Sequence, residues 1–375
     1  MSLDLQAALR YVVEHGGSDL HVKVGSPPVV RIAGQLQPLP GTARLVPADT
    51  QQALEEMLTD PARLQELAAE HEVDFAYAMP GLARFRVNAF RQRGSISIVC
   101  RVIPYGVTTI AELGLPDAVR ELAEEPRGIV LVTGTTGSGK STTLAAMVDH
   151  VNTTTARHIV TIEDPIEFLH TDKHSVINQR EVGSDTGSFE RALRRVLRQD
   201  PDIILIGEMR DEETVRTALS AAETGHLVLS TLHTADAAET INRIIDFFPP
   251  YHHRQVRSMM AGTLRGVISQ RLVPATGGGR VAALEILRTT GRVRDAILDA
   301  DQTIRLTGII SEGAYYGMQT FDQALFAHVA AGRVGRDEAL AVASSPQDFK
   351  LLLAAEGRVG TTMDDVRAAS SANGR

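Results

Sequence analysis

The sequence predicts an α/β protein whose core is a parallel sheet with crossover helices, preceded by a separate α+β domain and followed by a helical region. Three observations predict this class. Apolar runs alternate with helical patterns between residues 117 and 290, which is typical of parallel strands joined by helices. A glycine-rich loop separates the first of these strands from its helix. Before residue 105, apolar and polar residues alternate instead, which favours half-buried strands.

The composition is that of a globular protein, with 43% hydrophobic residues and a net charge of −8 among 375 residues. This length suffices for two or three domains. No apolar run reaches the length of a transmembrane helix, and the N-terminus lacks the pattern of a signal peptide. Cys100 is the only cysteine, which excludes an internal disulfide and a cysteine-based zinc site. We expect a cytoplasmic protein, and the acidic balance gives no general attraction to nucleic acid.

Residues 1–105 are expected to form the α+β domain. Leu3 to His15 has the apolar spacing of an amphipathic helix, and Leu20 to Val24 alternates like a half-buried strand. Residues 106–116 are expected to be a linker, which ends at Pro116. Further strands of the domain are expected at 29–32, 72–78, 83–91 and 95–103, and two helices at 48–59 and 61–70.

Residues 117–290 are expected to form the core and residues 291–367 a helical region, followed by a small, polar, disordered tail at 368–375. The core strands are expected at 129–133, 158–162, 202–206 and 227–231, and its helices at 140–151, 188–199, 212–223 and 235–247. The later helices are expected at 292–300, 303–312, 319–332 and 336–344.

The glycine-rich loop matches the pattern G-x-x-x-x-G-K-[ST]. Gly128 to Thr133 predicts a buried strand before it, and Thr142 to Val151 predicts a helix after it. The strand-loop-helix context makes the match credible, because glycines let the loop turn its N–H groups inward and the helix start attracts anions. The loop residues expected to bind nucleotide phosphates are Gly134, Thr135, Thr136, Gly137, Ser138, Gly139, Lys140, Ser141 and Thr142.

Two side chains of the loop have distinct expected tasks. The Lys140 ammonium is expected near the β- and γ-phosphates, and the Ser141 hydroxyl is a candidate Mg²⁺ ligand. The alternative, a glycine-rich turn that matches by chance, is the weaker interpretation because strand and helix patterns flank the loop. The sequence thus predicts binding of ATP with Mg²⁺.

Two glutamates follow predicted core strands. The strand at 158–162 leads into Glu163, and the strand at 202–206 leads into Glu208. Because active residues of α/β sheets collect at the carboxyl ends of strands, both are expected beside the loop. Hydrolysis of ATP needs Mg²⁺ held by oxygen ligands and a carboxylate that orients the attacking water. Glu208 is expected to hold the metal together with Ser141, and Glu163 to polarise the water, although the two roles can be exchanged; an exposed acidic turn is the alternative for Glu208.

Two histidines flank the strand expected at 227–231. His226 precedes it and His233 follows it closely. Both are candidates for contact with the γ-phosphate, and the alternative is the commoner role of a histidine satisfied within the core.

Arginines cluster on the last two strands expected in the first domain: Arg84, Arg86, Arg91, Arg93 and Arg101. Charge alone favours an exposed, solvated sheet face. A nucleotide-binding domain follows directly, however, so these arginines are also candidates for reaching phosphates at a domain or subunit interface. Arg210, directly after the acidic strand end at Glu208, is the competing candidate within the same domain.

Four segments in order resemble the secretion ATPases of type IV pili and type II secretion: TGTTGSGKST at 133–142, TIEDPIEF at 161–168, RQDPDIILIGEMRD at 198–211 and TGHLVLSTLHTADA at 224–237. In that family they are the Walker A motif, the Asp box, Walker B and the His box; Gly207 stands where Walker B usually has aspartate. GVISQRLVP at 266–274 and SDLHVKVGSPPVVRIAG at 18–34 match as well. The resemblance implies a RecA-like P-loop NTPase core with an N-terminal PAS-like α+β domain and a helical C-terminal region.

Within this family the chain looks most like the ATPases that retract type IV pili. It is short, its single cysteine rules out the zinc insertion of most extension and secretion members, and YYGMQTFDQAL at 315–325 resembles the C-terminal region of retraction enzymes. Two features depart from the retraction pattern: the stretch Arg292–Asp299 keeps little of the family's A-I-R-N-L-I-R-E box, and Gln199 stands where retraction types usually have glutamate.

The resemblance implies a homo-hexamer in which each ATP site lies between one subunit's core and a neighbour's N-terminal domain. Arg86 and Arg101 fall where the family places its interface arginines. It also implies docking on an inner-membrane platform protein of the pilus, so that the chain is held at the inner face of the cytoplasmic membrane through its partner only.

Three other functions compete with retraction. The first is an accessory or extension motor of pili or type II secretion. The second is a nucleotide-switched scaffold that hydrolyses ATP poorly. The third is a RecA-type nucleic-acid motor, against which the acidic balance and the lack of basic and aromatic stretches argue.

Overall fold

The computed structural model describes residues 3–103 and 106–354. The predicted tail at 368–375 lies outside the described residues, as does the part of the predicted helical region beyond residue 354. Among the helices that are described, none is both long and apolar enough to cross a membrane.

The chain divides into two compact units. The first comprises Met1–Gly106 together with Pro165–Leu169, and the second comprises Val107–Asp164 together with His170–Arg375. Nothing in the sequence pattern predicts that Pro165–Leu169 belongs to the first unit, because five residues are too few to show a period.

The first unit is built on one antiparallel sheet. Its strands are β1 (Gly17–Lys23), β2 (Val29–Ile32), β3 (Gln35–Pro38), β4 (Glu72–Met79), β5 (Ala83–Gln92) and β6 (Ser95–Ile103), and its helices are α1 (Leu5–Glu14), α2 (Pro47–Met57) and α3 (Pro61–Glu70). The sheet order is β3-β2-β1-β6-β5-β4. Alternate strand residues such as Leu20, Phe85 and Cys100 are fully buried in one core with residues of the three helices. The opposite face of the sheet therefore carries the polar residues of the same strands.

The second unit is built on a seven-stranded sheet. Its strands are β7 (Gly128–Thr133), β8 (His158–Glu163), β9 (Val176–Glu181), β10 (Ile203–Ile206), β11 (Leu227–Leu232), β12 (Leu264–Pro274) and β13 (Arg280–Arg288). They lie in the order β13-β12-β7-β11-β10-β8-β9, and all neighbours are parallel except β12 and β13. Every residue of β7, β10 and β11 is buried, because helices cover both faces of the sheet.

Helices pack on both sides of this sheet. Successive residues of β7 point to opposite faces, so that Ile129 and Leu131 join one core cluster and Val130 and Val132 join another. The helices of the unit are α4 (Asp117–Ala123), α5 (Lys140–Thr154), α6 (Phe189–Val196), α7 (Glu212–Glu223), α8 (Ala237–Asp246), α9 (His253–Thr263), α10 (Gly291–Leu298), α11 (Leu306–Ser311), α12 (Phe321–Ala330), α13 (Arg336–Val342) and α14 (Pro346–Ala354).

The prediction of four core strands is incomplete, since the structure adds β9, β12 and β13. The edge strand β9 is mostly polar, and β12 carries the polar run Ser269-Gln270-Arg271 in its middle. Polar residues inside a strand hide the apolar period on which the prediction depends. The run on β12 has a local cause, because Ser269 bonds to Thr133 at the end of β7 and Gln270 bonds to Thr143 in the first turn of α5, on either side of the glycine-rich loop described below.

Candidate nucleotide site

The glycine-rich loop begins at the carboxyl edge of the parallel sheet. Thr133, the last residue of β7, lies opposite Leu232 at the end of β11 and opposite Ser269 of β12. Beyond β11, strands β10 and β8 run in the same direction and end at Ile206 and Glu163. The residues that follow these strands therefore share one edge with the loop.

Two glycines let the loop lie close to the neighbouring strand. Gly134 has a φ of +141°, and a Cβ there would sit 2.4 Å from the backbone oxygen of Gln270 and 2.6 Å from Ser138 Oγ. Gly139 has a φ of +89°, and a Cβ there would sit 2.7 Å from Gln270 Nε2. Any side chain at either position would push the loop away from β12, because the atoms it would meet are buried.

Lys140 opens helix α5 and turns back over the loop. Its ammonium donates to the backbone oxygens of Gly134 at 2.8 Å and Thr135 at 3.1 Å, and the residue is only 8% exposed. Its positive charge therefore lies inside the curl of the loop, where a phosphate would meet it.

The loop also contains free hydrogen-bonding capacity. Ser138 Oγ is buried and has no hydrogen-bond partner among the described residues. Ser141 is half-buried in the first turn of α5, where backbone N–H groups have no partner within the helix and attract anions. An unpartnered hydroxyl, a buried ammonium and a helix start together fit a nucleotide phosphate, and the Ser141 hydroxyl fits a Mg²⁺ ligand. Their roles stay a prediction, which the geometry supports.

Glu208 follows β10, the second strand over from β7. Strands of a sheet are spaced by about 4.8 Å, which places β10 roughly 10 Å from β7. The Glu208 side chain is 13% exposed; one oxygen pairs with Arg210 and the other lies 3.4 Å from His233 Nε2. The hydrogen bond to Glu208 is the main reason why the pKa of Arg210 is raised.

Glu163 ends β8, the third strand over from β7 and so about 14 Å away in the sheet. Its Oε1 accepts hydrogen bonds from Thr161 Oγ1 at 2.7 Å and Gln179 Nε2 at 3.1 Å. A Cβ on Gly207 would lie 3.3 Å from the Ile162 oxygen and 3.4 Å from Glu163 Cα, so a side chain there would fit tightly against the end of β8. The structure thus brings Glu208 and Glu163 to the loop edge, with Glu208 the nearer.

The two histidines lie at opposite edges of the sheet. His233 follows the carboxyl end of β11 beside Glu208, with 53% of its side chain exposed. His226 precedes the same strand; its Nδ1 lies 2.9 Å from the backbone oxygen of Ala221, and its own carbonyl accepts from Gly128 at the start of β7. Seven residues of extended chain span about 23 Å. The prediction that His226 reaches the γ-phosphate is therefore wrong within one chain, because a parallel strand places its two ends at opposite edges.

The candidate interface arginines lie on the outer face of the first unit's sheet. Arg86 and Arg101 are directly opposite each other on β5 and β6, and Asp19 of β1 lies opposite Arg101. Arg101 Nε donates to Asp19 Oδ1 at 2.8 Å, and 69% of the Arg101 side chain is exposed. Although burial acts to raise it, the pKa of Asp19 is lowered by hydrogen bonds from Ser18 and Arg101.

Like charges directly opposite each other destabilise a sheet. Arg86 faces Arg101 across the strand pair, and the buried Asp19 pairs with Arg101 and, at 3.6 Å, with Arg31. An opposed arginine pair costs less when an anion binds between the guanidinium groups, so the phosphate-binding role of this face stays a prediction, which the geometry supports.

Four residues beside the loop were not among the predicted site residues. Thr133 Oγ1 bonds to Ser269 Oγ at 2.9 Å, and Thr143 Oγ1 donates to Gln270 Oε1 at 2.7 Å. Ser269 and Gln270 lie within the GVISQRLVP match, which is the only sequence signal that points to them.

A parallel sheet with a glycine-rich loop after its first core strand, a lysine inside the loop and acidic residues at neighbouring strand ends defines a P-loop nucleoside triphosphatase. Comparison with known proteins identifies the family within this class. The model of the type II/IV secretion system protein family matches residues 62–306. The chain belongs to this family.

Individual relatives agree with the family match. The type IV pilus retraction ATPase PilT of Pseudomonas aeruginosa is 47% identical over 350 residues, which are 92% of this chain and 100% of that protein. The type IV pilus ATPase PilU of the same organism is 41% identical over 352 residues, 94% of this chain and 91% of that protein. A crystal structure of the pilus retraction motor PilT with bound ADP matches with a TM-score of 0.84 at 44% identity, over 93% of this chain and 98% of that one. The predicted family and fold class are confirmed.

Proposed function

We propose that this chain is an ATP-hydrolysing motor that powers the retraction of type IV pili. The observation that carries the proposal is the shared edge of the sheet, where the loop with its buried lysine meets two glutamates. The similarity to a retraction ATPase along nearly the whole chain supports the same function. Nucleotide binding is supported by the ADP in the similar solved structure.

The phosphate end of ATP is bound by the loop. Inward N–H groups and the start of α5 hold the phosphate oxygens, and the Lys140 ammonium neutralises charge on the β- and γ-phosphates. A bound Mg²⁺ supplies further charge neutralisation. Ser141 and Glu208 would hold the ion, because their oxygens are of the type that Mg²⁺ prefers and both residues lie at the edge of the sheet where the loop begins.

Glu163 polarises the attacking water. Thr161 and Gln179 both donate to Glu163 Oε1, which orients the carboxylate at the end of β8 toward the loop edge. His233 lies against Glu208 and is exposed, so it is placed to sense the γ-phosphate end of the site.

The site is completed by a second copy of the chain. Arg86 and Arg101 present two neighbouring cations on an exposed sheet face, with the buried Asp19 on the far side of Arg101, which suits a phosphate brought by another subunit. We infer a homo-hexamer in which these arginines reach the neighbour's nucleotide. Arg210, which pairs with Glu208, is the alternative within the unit that carries the loop.

We infer that the hexamer works at the inner face of the cytoplasmic membrane, docked on the inner-membrane platform protein of the pilus. Nucleic acid is not expected as a partner, because the net charge of −8 repels it.

An accessory pilus motor is the second candidate. Two observations favour it: the similarity to PilU at 41% identity, and the departures from the retraction pattern at Gln199 and Arg292–Asp299. In the structure Arg292 lies in α10 and pairs with Glu312 at 2.8 Å. An accessory motor would need a second ATPase for pilus retraction, whereas a retraction motor would not.

The test is complementation of a strain that lacks every retraction ATPase. We expect the chain to restore twitching motility and fibre retraction by itself, and a matched strain carrying Lys140→Ala to restore neither. Restoration only when a second retraction ATPase is present would favour the accessory motor. No hydrolysis of ATP by the purified protein would favour the nucleotide-switched scaffold.

A further inference from the structure

Strand β12 supports the glycine-rich loop along the side that faces away from β11. Gln270 lies on this strand and is 3% exposed. Its side-chain Oε1 accepts a hydrogen bond of 2.7 Å from Thr143 Oγ1, which is itself buried in the first turn of α5. The side chain therefore fixes the start of the helix that carries Lys140 to the neighbouring strand.

Gln270 also lies against two of the three glycines of the loop. Its backbone oxygen occupies the space where a Cβ on Gly134 would lie, and its Nε2 occupies the space where a Cβ on Gly139 would lie. Gln270 thus lies beside the loop at Gly134, where the chain leaves β7, and at Gly139, where the chain enters α5. Through Thr143 it also holds the first turn of α5. Ser269 adds a contact to Thr133 at 2.9 Å.

We propose that Gln270 is a positioning residue for nucleotide phosphates: it holds the loop in the curvature that places the loop amides and the Lys140 ammonium around one phosphate. It does not touch the nucleotide. The proposal rests on nucleotide binding by this family and not on the direction of the motor.

The chemical reason is the cost of a buried amide. Gln270 and Thr143 satisfy each other in a place that water does not reach, and removing one partner leaves the other unsatisfied. The loop and the first turn of α5 then shift so that the unsatisfied group can reach water. Because Lys140 is covalently fixed to the same helix turn, a displacement of about 1 Å there costs on the order of a hundredfold in rate.

The first test compares threonine variants. Thr143→Val keeps the shape and removes the hydroxyl, Thr143→Ser keeps the hydroxyl, and Thr154→Val is the matched control. Thr154 lies on the same helix, is exposed, and bonds only to the backbone oxygen of His150 among the contacts described. We expect Thr143→Val to weaken ADP binding, measured by calorimetry, about tenfold and to lower kcat at least as much, since an unsatisfied buried partner costs about that much. Thr143→Ser and Thr154→Val are expected to stay within about twofold of the parent.

The second test is a double-variant cycle with Gln270→Met, which keeps the length of the side chain and removes the amide. If Gln270 acts through Thr143, the combined variant loses no more ADP affinity than the worse single variant. Thermal unfolding without nucleotide is measured in parallel. ADP affinity and kcat within about twofold of the parent in Thr143→Val, with only a lower Tm, would overturn the proposal, as would fully additive losses in the double variant.

Discussion

The two cationic regions of this molecule are built differently. Lys140, in the second unit, is 8% exposed and donates to carbonyls of its own loop. Arg101, in the first unit, has 69% of its side chain exposed, is balanced by a buried carboxylate and faces a second arginine across the sheet. A cation held inside a loop is positioned by its own chain, whereas exposed cations that face each other suit an anion from elsewhere. Under the proposed function, each chain therefore carries one nearly complete half of the site, the loop, and one dependent half, the arginine face.

The largest expected effect tests the self-contained half. Lys140→Ala removes the only ammonium held within the loop, and we expect ATP hydrolysis to fall by about a thousandfold or more. Steady-state phosphate release measures this loss. Near-normal turnover would show that the loop is not the phosphate site, and Lys140 could then no longer be contrasted with Arg101 as a phosphate-binding cation.

Variants of the two glutamates separate nucleotide binding from catalysis in the half of the site that contains the loop. Glu208→Gln and Glu163→Gln keep the shape of each side chain and remove its charge, so each is expected to lower kcat about a hundredfold while ADP affinity changes little. Calorimetry with ADP and turnover measurements on the same samples separate the two effects. A variant that lost ADP affinity as completely as Lys140→Ala would have a binding role in place of a catalytic one.

Glu285 is another carboxylate near this edge of the sheet, and the fold encloses it. It lies opposite Ser269, is buried, and accepts from the Ala237 N–H at the start of α8. Burial is the main cause that raises its pKa to about 7, from an ordinary value of 4.5. Since the folded state holds this proton more tightly, its contribution to stability is complete below pH 4.5 and is lost as the pH rises through 7, a change of about 3 kcal/mol.

Urea unfolding at pH 5 and pH 8 measures this dependence. Glu285→Gln is expected to flatten it, because glutamine cannot titrate, and the exposed Glu223→Gln is the matched control. The same pH slope in parent and Glu285→Gln would show that Glu285 does not carry the dependence.

The two histidines give the smallest expected effect. His233→Ala removes a group beside Glu208, and we expect kcat to fall about tenfold. His226→Ala is expected to leave kcat within about twofold and to lower the Tm, because that ring contacts the end of α7 at the far edge of the sheet. Turnover assays on both variants show whether His233 contributes more to catalysis than His226. Equal losses of kcat would mean that His226 acts on the site through another subunit.

The part of the site that the sequence predicts is the part built from local pattern. β7, the loop and α5 follow from a buried β-branched run, three glycines and a helical period, and the limits of α7 agree with the prediction at Glu212–Glu223. Glu163 and Glu208 follow from the rule that acidic strand ends gather at one edge. What the sequence does not predict depends on register between distant segments. Gln270 beneath the loop, and Asp19 opposite Arg101, are neighbours only because of strand order, which no short pattern encodes.

The central claim is that the self-contained half of one subunit works with the arginine half of another, and mixing of subunits tests it most directly. Arg86→Ala is the better variant for this purpose than Arg101→Ala, because loss of Arg101 removes the closer of the two arginines that pair with the buried Asp19 and costs stability. Arg86→Ala and Lys140→Ala proteins, each inactive alone, are mixed, and joint hexamers are verified by mass. We predict that ATPase activity reappears in the mixture, since a Lys140→Ala subunit still lends its arginines to an Arg86→Ala neighbour with an intact loop. Verified mixed hexamers without recovered activity, or full activity in a monomer, would contradict the shared site.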